Sequence, residues 1–316
     1  MNTFPNNKPY KDFSEYLSSK FPFKVQKISI NAGFTCPNRD GSKGYGGCTY
    51  CNNQSFSPGY GKPTRTITEQ LQDGIKFFSH KYPEMKYLAY FQSYTNTYDP
   101  IEDLISKYEE ALSHPDVVGL IIGTRPDCMP DKLLDYFENL SKETFVLIEY
   151  GVESTLNRTL DKVNRLHSYE ESEAMILRTA ARGIPVGAHM ILGLPGETKE
   201  EILSHADKLS ALPLTTIKLH QLQIIKGTIM SREYRVNPSE FNLFELGDYI
   251  DICVSFAERL NPAIYIERFT SQSPEKLLIA PEWGLKNHVV RDMIIKRFNE
   301  RDTQQGSVYL MKQENF

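Results

Sequence analysis

The feature that most constrains the fold is a repeated alternation. Short apolar runs occupy residues 24–30 (KVQKISI), 87–92 (YLAYFQ), 117–123 (VVGLIIG), 145–150 (FVLIEY), 185–192 (PVGAHMIL) and 215–221 (TTIKLHQ). Their β-branched and aromatic content and their shortness mark strands rather than pieces of helix. Between them lie amphipathic stretches near 66–81, 101–113, 131–139, 169–182 and 199–211; Asp99-Pro100 opens the second and Gly183 follows the fourth as a helix stop. Strands separated by helices imply a parallel sheet, because each parallel neighbour needs a crossover. This α/β pattern fits both a Rossmann-like and a barrel-like closure, and periodicity does not choose between them.

After residue 225 the rhythm changes. A helix near 239–260 leads to a short strand at 263–268 (AIYIER), a loop holding Trp283, and a last helix near 286–301. No flexible linker precedes this part, so the expected organisation is an N-terminal extension (1–24), a core (25–225) and a C-terminal accessory or substrate segment (226–316).

Composition bounds the function. With 40% apolar and 24% charged residues among 316, the chain can bury a sizeable core. No apolar run approaches the ~20 residues of a membrane span, and the start, MNTFPNNKPYKDFSEYL, is too polar for an export signal. A cytoplasmic protein without membrane contact is expected. The net charge of -4 excludes a polybasic protein but leaves room for a local basic patch. Five cysteines are too few for a disulfide scaffold, and three of them, Cys36, Cys48 and Cys51, fall close together. Such clustering points to a metal or to redox chemistry.

The cluster reads CPNRDG…GGCTYC, with eleven residues and then two between successive cysteines. The close pair lets two thiolates reach one centre from a single turn, and the Gly-rich excursion between gives Cys36 freedom to join them. Three readings compete. Structural zinc wants a fourth ligand, for which His80 is the nearest candidate. Unligated buried thiols fit poorly in a loop rich in Gly, Asn and Arg. Three thiolates on a [4Fe–4S] cluster would leave one iron open, which suits a loop placed right after the first strand, where parallel α/β folds assemble their sites. The cluster is the reading adopted.

With these motifs the chain resembles the radical S-adenosylmethionine (SAM) superfamily over residues 24–226. The long cysteine spacing is similar to that of the branch related to the elongator catalytic subunit, and CPNRDG…GGCTYC is closer still to the small bacterial YhcC/YtqA-type subgroup. The resemblance implies a partial (β/α)6 TIM-type barrel of the radical SAM type with a C-terminal accessory segment. It implies a [4Fe–4S] cluster on Cys36, Cys48 and Cys51, with Tyr50 packed near the adenine of SAM. Many members carry a GGE-like motif after the second strand that receives the methionine amino group; here QSYTNT stands in its place, and the role passes to Gln92 and Asn96. TRPD, holding Arg125, matches the elongator-like signature, although an Arg125–Asp127 pair on a surface proline turn would also account for it. The GLPGET turn, with Gly193 and Pro195, resembles the family turn that passes under the adenine.

Other positions come from the residues themselves. Glu149 and Glu153 flank Gly151 at the fourth strand, and a carboxylate holding a ribose is familiar in nucleotide sites. Glu149 is preferred, because a bare carboxylate in an apolar strand would be costly. Lys218 and His220 alternate on the sixth strand and face the same way, toward the cofactor. Cys128 and Cys253 read as packing residues, with a relay role the lesser alternative for Cys128.

The implied activity is reductive cleavage of SAM to a 5′-deoxyadenosyl radical, fed by an electron donor such as flavodoxin or ferredoxin. The subgroup resembled is linked to the wobble uridine of tRNA, where a carboxymethylaminomethyl group would be trimmed to aminomethyl. A small-molecule substrate, or a non-catalytic Fe–S or zinc scaffold or sensor, remains as the alternative. Lys286, Arg291, Lys296, Arg297 and Arg301 form either a phosphate-binding strip or, by default, a solvated helix face, and Trp283 and Arg268 are expected to stack on or pair with a base. An acetyltransferase domain has no room in the ~90 residues that follow the core, and a methylthiotransferase would need a further cysteine-bearing domain.

Overall fold

A computed structural model describes residues 4, 8–55, 57–79 and 84–314. The chain opens with α1 (Phe13–Lys20) and β1 (Val25–Ile30), after which the cysteine loop leads to α2 (Ile67–Ser79). Regular alternation follows through β2 (Lys86–Phe91), α3 (Ile101–Leu112), β3 (Val117–Thr124), α4 (Asp131–Leu140) and β4 (Phe145–Glu153). The short α5 (Asn157–Lys162) precedes α6 (Tyr169–Ala181), β5 (Val186–Leu192), α7 (Lys199–Ser210) and β6 (Thr216–Gln221). The remainder holds β7 (Ile224–Ile225), α8 (Ile229–Val236), α9 (Leu246–Arg259), β8 (Tyr265–Arg268), β9 (Leu278–Ala280), α10 (Asn287–Glu300) and α11 (Ser307–Glu314). Both α6 and α7 begin with capping boxes, Ser168 with Glu171 and Thr198 with Glu201, which satisfy the first free N–H groups of each helix.

Among the described residues, seven strands form one sheet in the order β1-β2-β3-β4-β5-β6-β8. Every neighbouring pair is parallel. A flat sheet of this width would hold its edges roughly 29 Å apart, from strands spaced about 4.8 Å. Instead, Lys27 on β1 reaches Glu267 on β8 at 2.5 Å. The sheet is therefore curled nearly shut, and the closure left open by periodicity is that of a half-barrel.

Two details extend the sequence reading. The segment expected as an accessory strand supplies β8, a seventh strand beyond the six recognised, with α9 packed beside α7 as its covering helix. The helix expected from residue 239 begins only at Leu246, because the chain ahead of it is drawn off to pack Phe241 with Ile224 and Met230. The expected end of α2, and His80 with it, lies outside the described residues.

Strand alternation sorts the side chains into two cores. Outward residues such as Phe91, Leu120, Ile148, Ala188 and Leu219 pack under the helices. Inward residues build layers. The lowest is apolar, with Leu88, Tyr90, Ile121 and Leu147 covered by Phe13 and Tyr16 of α1, so the N-terminal extension plugs the barrel base. Backbone pairing of Ile266 N–H to the Lys11 carbonyl, at 2.8 Å, ties this plug to β8. Above lies a charged layer made by Lys27, Glu149, Lys218 and Glu267. A cavity occupies the space above that, at the C-terminal ends of the strands. Among the described residues, no helix is long and apolar enough to cross a membrane.

Candidate active site

The cysteine loop forms one wall of this cavity, and Cys36, Cys48 and Cys51 all line it. Positive φ at Gly41, Gly46 and Gly47 lets the excursion between the first two cysteines fold back on itself. Its path is fixed near its start and at its middle: the amide of Asn38 donates to the Asn164 carbonyl at 2.5 Å, and Lys43 reaches Asp127 at 2.5 Å. A turn closed from Cys51 N–H to the Cys48 carbonyl sets the close pair of thiols side by side. Asn38 and Arg165 direct N–H groups at the Cys48 sulfur, at 3.5 and 3.6 Å. Burial, followed by the nearby Cys48 sulfur, pushes the Cys51 thiol up to about 12. A metal that replaced its proton would remove that penalty.

The next wall comes from β3 and β4. Arg125 is buried and donates twice to Asp127, both bonds at 2.9 Å. The pair foreseen as a surface alternative therefore exists, but it is interior, and Arg125 still faces the cavity. Glu153, at φ +69, sits opposite Arg165 at 3.7 Å, with Tyr50 beside them on the same wall. Burial raises the Glu153 carboxyl, with Arg165 opposing the shift.

Glu149 lies at the cavity floor with both oxygens engaged. It holds Lys218 in a close ion pair, Lys27 at 3.4 Å and His189 at 3.0 Å. The cost of a bare carboxylate, which favoured Glu149 as the ribose partner, is thus met by two lysines inside the protein, and Glu153 is the less committed of the two. Burial lowers Lys218 to about 8 against the pull of Glu149. Burial and the Lys218 charge bring His189 to about 4, and burial with the Arg268 charge carries His220 well below its usual value. Both imidazoles are neutral at neutral pH.

Of the residues singled out from sequence, the cavity collects the three cysteines, Tyr50, Gln92, Arg125, Glu149, Glu153, His220 and Arg268. Four others stand behind its surface. Asn96 is buried and donates to the Gly123 carbonyl at 2.7 Å, bracing β3. Gly193 and Pro195 belong to a turn whose Glu197 is gripped by Ser154 at 2.5 Å, so GLPGET here locks the ends of β4 and β5 together. Any side chain at Gly193 would strike Phe244. Lys218 is consumed by the charged layer below.

The structure also revises the C-terminal expectations. Arg297 and Arg301 both pair with Asp251, Arg291 with Asp292 and Lys296 with Glu300, so most of the charge on α10 is neutralised within the chain. Trp283 donates to the Phe244 carbonyl at 3.2 Å and packs on Tyr249, so the half-buried ring is held against the core. Residues missed by sequence reasoning are Arg39, Arg165, His189 and Ile191, all on the cavity wall. Strand alternation could have found His189 and Ile191, which share a face of β5. Nothing local marks Arg165, whose partners come from β4 and the cysteine loop.

The donors fit an iron–sulfur cluster. Among the described residues, no three His, Cys, Asp or Glu side chains converge on a single point as a lone ion would require. All three thiols line the one cavity, and three thiolates there would leave one iron of a [4Fe–4S] cluster open toward it. Around them Tyr50 Oη, Arg125 Nη1 and Arg165 Nε are buried without a hydrogen-bond partner. Orphaned donors of this kind are costly unless a ligand takes them up.

Comparison with known proteins agrees. The Radical SAM superfamily profile matches residues 32–209, and the Radical_SAM C-terminal domain matches 214–300. YtqA of Bacillus subtilis is 34% identical over 316 residues, covering 99% of this chain and 98% of its own. A tRNA uridine(34) acetyltransferase of Methanocaldococcus infernus is 23% identical over 203 residues, 62% of this chain and 35% of that protein. The archaeal Elp3 of the same organism, with its N-terminus deleted, superposes with a TM-score of 0.66 at 17% identity, covering 92% of this chain and 68% of that one, which is a likeness of fold. By its thiols, its half-barrel and these matches, the chain belongs to the radical SAM superfamily, whose members are enzymes that bind a [4Fe–4S] cluster and SAM.

Proposed function

We propose that this enzyme acts on a modified wobble uridine of tRNA, converting a carboxymethylaminomethyl side chain to aminomethyl: SAM would take up the two electrons lost from the carboxymethyl carbon, and water would release its two carbons as glyoxylate. The observation that carries the reading is a group of exposed cations on the segments around the cavity mouth. Lys62, Lys162, Arg232 and Arg235 are exposed, sit in segments that follow the C-terminal ends of β1, β4 and β6, and among the described residues have no carboxylate within ion-pair distance. A polyanion approaching the open end of the barrel meets these groups first. A base splayed from a single-stranded anticodon loop can then enter the cavity. The likeness to the tRNA uridine(34) acetyltransferase supports the same class of substrate.

When bound, the cluster and SAM supply a carbon-centred radical that takes hydrogen from an unactivated C–H bond, with the electron drawn from a donor of flavodoxin or ferredoxin type. The protein's part is to hold and to shield. Cys36, Cys48 and Cys51 are the ligands, Tyr50 and Glu153 receive the nucleoside part of SAM, and Gln92 faces its amino-acid end. Arg165 keeps positive charge against the thiolate wall. Free, buried thiols call for reducing surroundings, in keeping with a cytoplasmic location. The test is mass spectrometry of nucleosides from tRNA of the parent strain and a strain lacking the gene. Loss of the aminomethyl form with accumulation of carboxymethylaminomethyluridine is expected, and an unchanged profile contradicts the proposal.

A further inference from the structure

The charged layer under the cavity does not balance. Lys27 and Lys218 are matched by Glu149 and Glu267, each lysine touching both carboxylates. Arg268, the last residue of β8, adds a further positive charge directly above, and among the described residues no carboxylate lies within ion-pair distance of it. Its guanidinium is braced instead by a neutral base: Nη2 donates to His220 Nε2 at 2.9 Å. Its Nε is buried and has no hydrogen-bond partner. Arg268 lines the cavity that holds the three thiols, but from the flank of β6 and β8, whereas Cys48 is held from the flank of β4 by Arg165.

A half-buried guanidinium with a buried, unused Nε–H and no counter-ion is costly, and a planar monoanion cancels both costs at once through parallel N–H···O bonds. We propose that Arg268, steadied by His220, is the binding site for a carboxylate on the substrate. One unmatched positive charge calls for one negative charge. The position, at the cavity floor away from the thiol wall, places that carboxylate at the inner end of whatever molecule enters. A single inward strand position thus selects for substrates ending in an acid over their amides or amines. Identifying this acid as the carboxymethyl arm of the uridine rests on the wobble-uridine proposal; the anion site itself does not.

Two arms of one experiment test it on the anaerobically reconstituted holoenzyme. In the first, phenylglyoxal labels arginines, and peptide mass spectrometry follows Arg268 in the presence of N-benzylglycine, N-benzylglycinamide or SAM. N-benzylglycine should slow labelling at least fivefold and its amide less than twofold. Equal protection by acid and amide overturns the site, as does protection by SAM alone, which would give Arg268 to the carboxylate of SAM. The second arm measures binding of anticodon stem-loops carrying carboxymethylaminomethyluridine or aminomethyluridine. The acid form should bind at least tenfold more tightly to the unaltered enzyme, a preference that falls below twofold in R268Q and is partly restored in R268K. Preference undiminished in R268Q removes Arg268 from the site while leaving the tRNA reading intact. Protection by N-benzylglycine with no discrimination between stem-loops upholds the anion site and removes the tRNA reading.

Discussion

Asp127 is almost wholly buried, which on its own would raise its carboxyl, yet the hydrogen bonds and charge of Arg125, with Lys43 beside them, bring it down to about 2 from 3.8. A carboxyl with a lowered folded-state pKa contributes stability that is complete above its unfolded pKa. That contribution is lost as pH falls from about 4 toward 2, and the size of the shift makes it about 2 kcal/mol. Urea unfolding of D127N should therefore show a loss of at least about 2 kcal/mol at pH 7, narrowing against the parent protein below about pH 4. A difference that stays constant with pH would mean the pair is not ionic. Asp127 lies two residues from Arg125 within TRPD, and such local pairs are legible in sequence. So is the cysteine triad, because its spacing is carried by one loop. Arg165 is not, since it acquires its meaning from Glu153 and Cys48 elsewhere in the fold, and Arg268 was singled out for a base rather than for its bond to His220.

At the scale of elements, the charged layer joins β1, β4, β6 and β8 through four side chains. Removing one lysine leaves two carboxylates to share the other. K218M should cost about 3–5 kcal/mol, the usual effect of stranding a buried charge. The double variant E149L/K218M leaves Lys27 paired with Glu267 and should regain most of that loss; additive losses in chemical denaturation would refute the layer as a balanced unit. Alternation foretold the strands and helices well because each buries a face of regular period. It did not foretell that residues 265–268 extend the sheet, because so short a run is recognised only against its neighbour β6. Glu149 illustrates the same limit: its cost of burial was foreseen, but the lysines that relieve it stand far off in the chain.

For the whole molecule, the half-barrel depends on its plug. Phe13 and Tyr16 are each 6% exposed and cover the apolar layer formed by Leu88, Ile121 and Leu147. Truncating either to alanine should destabilise the protein by about 3–5 kcal/mol, seen as a lowered Tm. If a truncation is instead neutral, α1 is a surface attachment and the barrel base is closed by other means. With its base covered by α1, the barrel presents at its other end the cavity where the thiols and the Arg268 guanidinium gather, with exposed cations on the segments around it. Chemistry and recognition thereby share one mouth. The most direct test of that claim is an anaerobic assay with reconstituted enzyme, reductant, SAM and tRNA from the deletion strain, read by mass spectrometry for both products. The account predicts that 5′-deoxyadenosine and aminomethyluridine appear together and that both vanish in C51A. Release of 5′-deoxyadenosine with the tRNA unchanged, or no release at all, would contradict it.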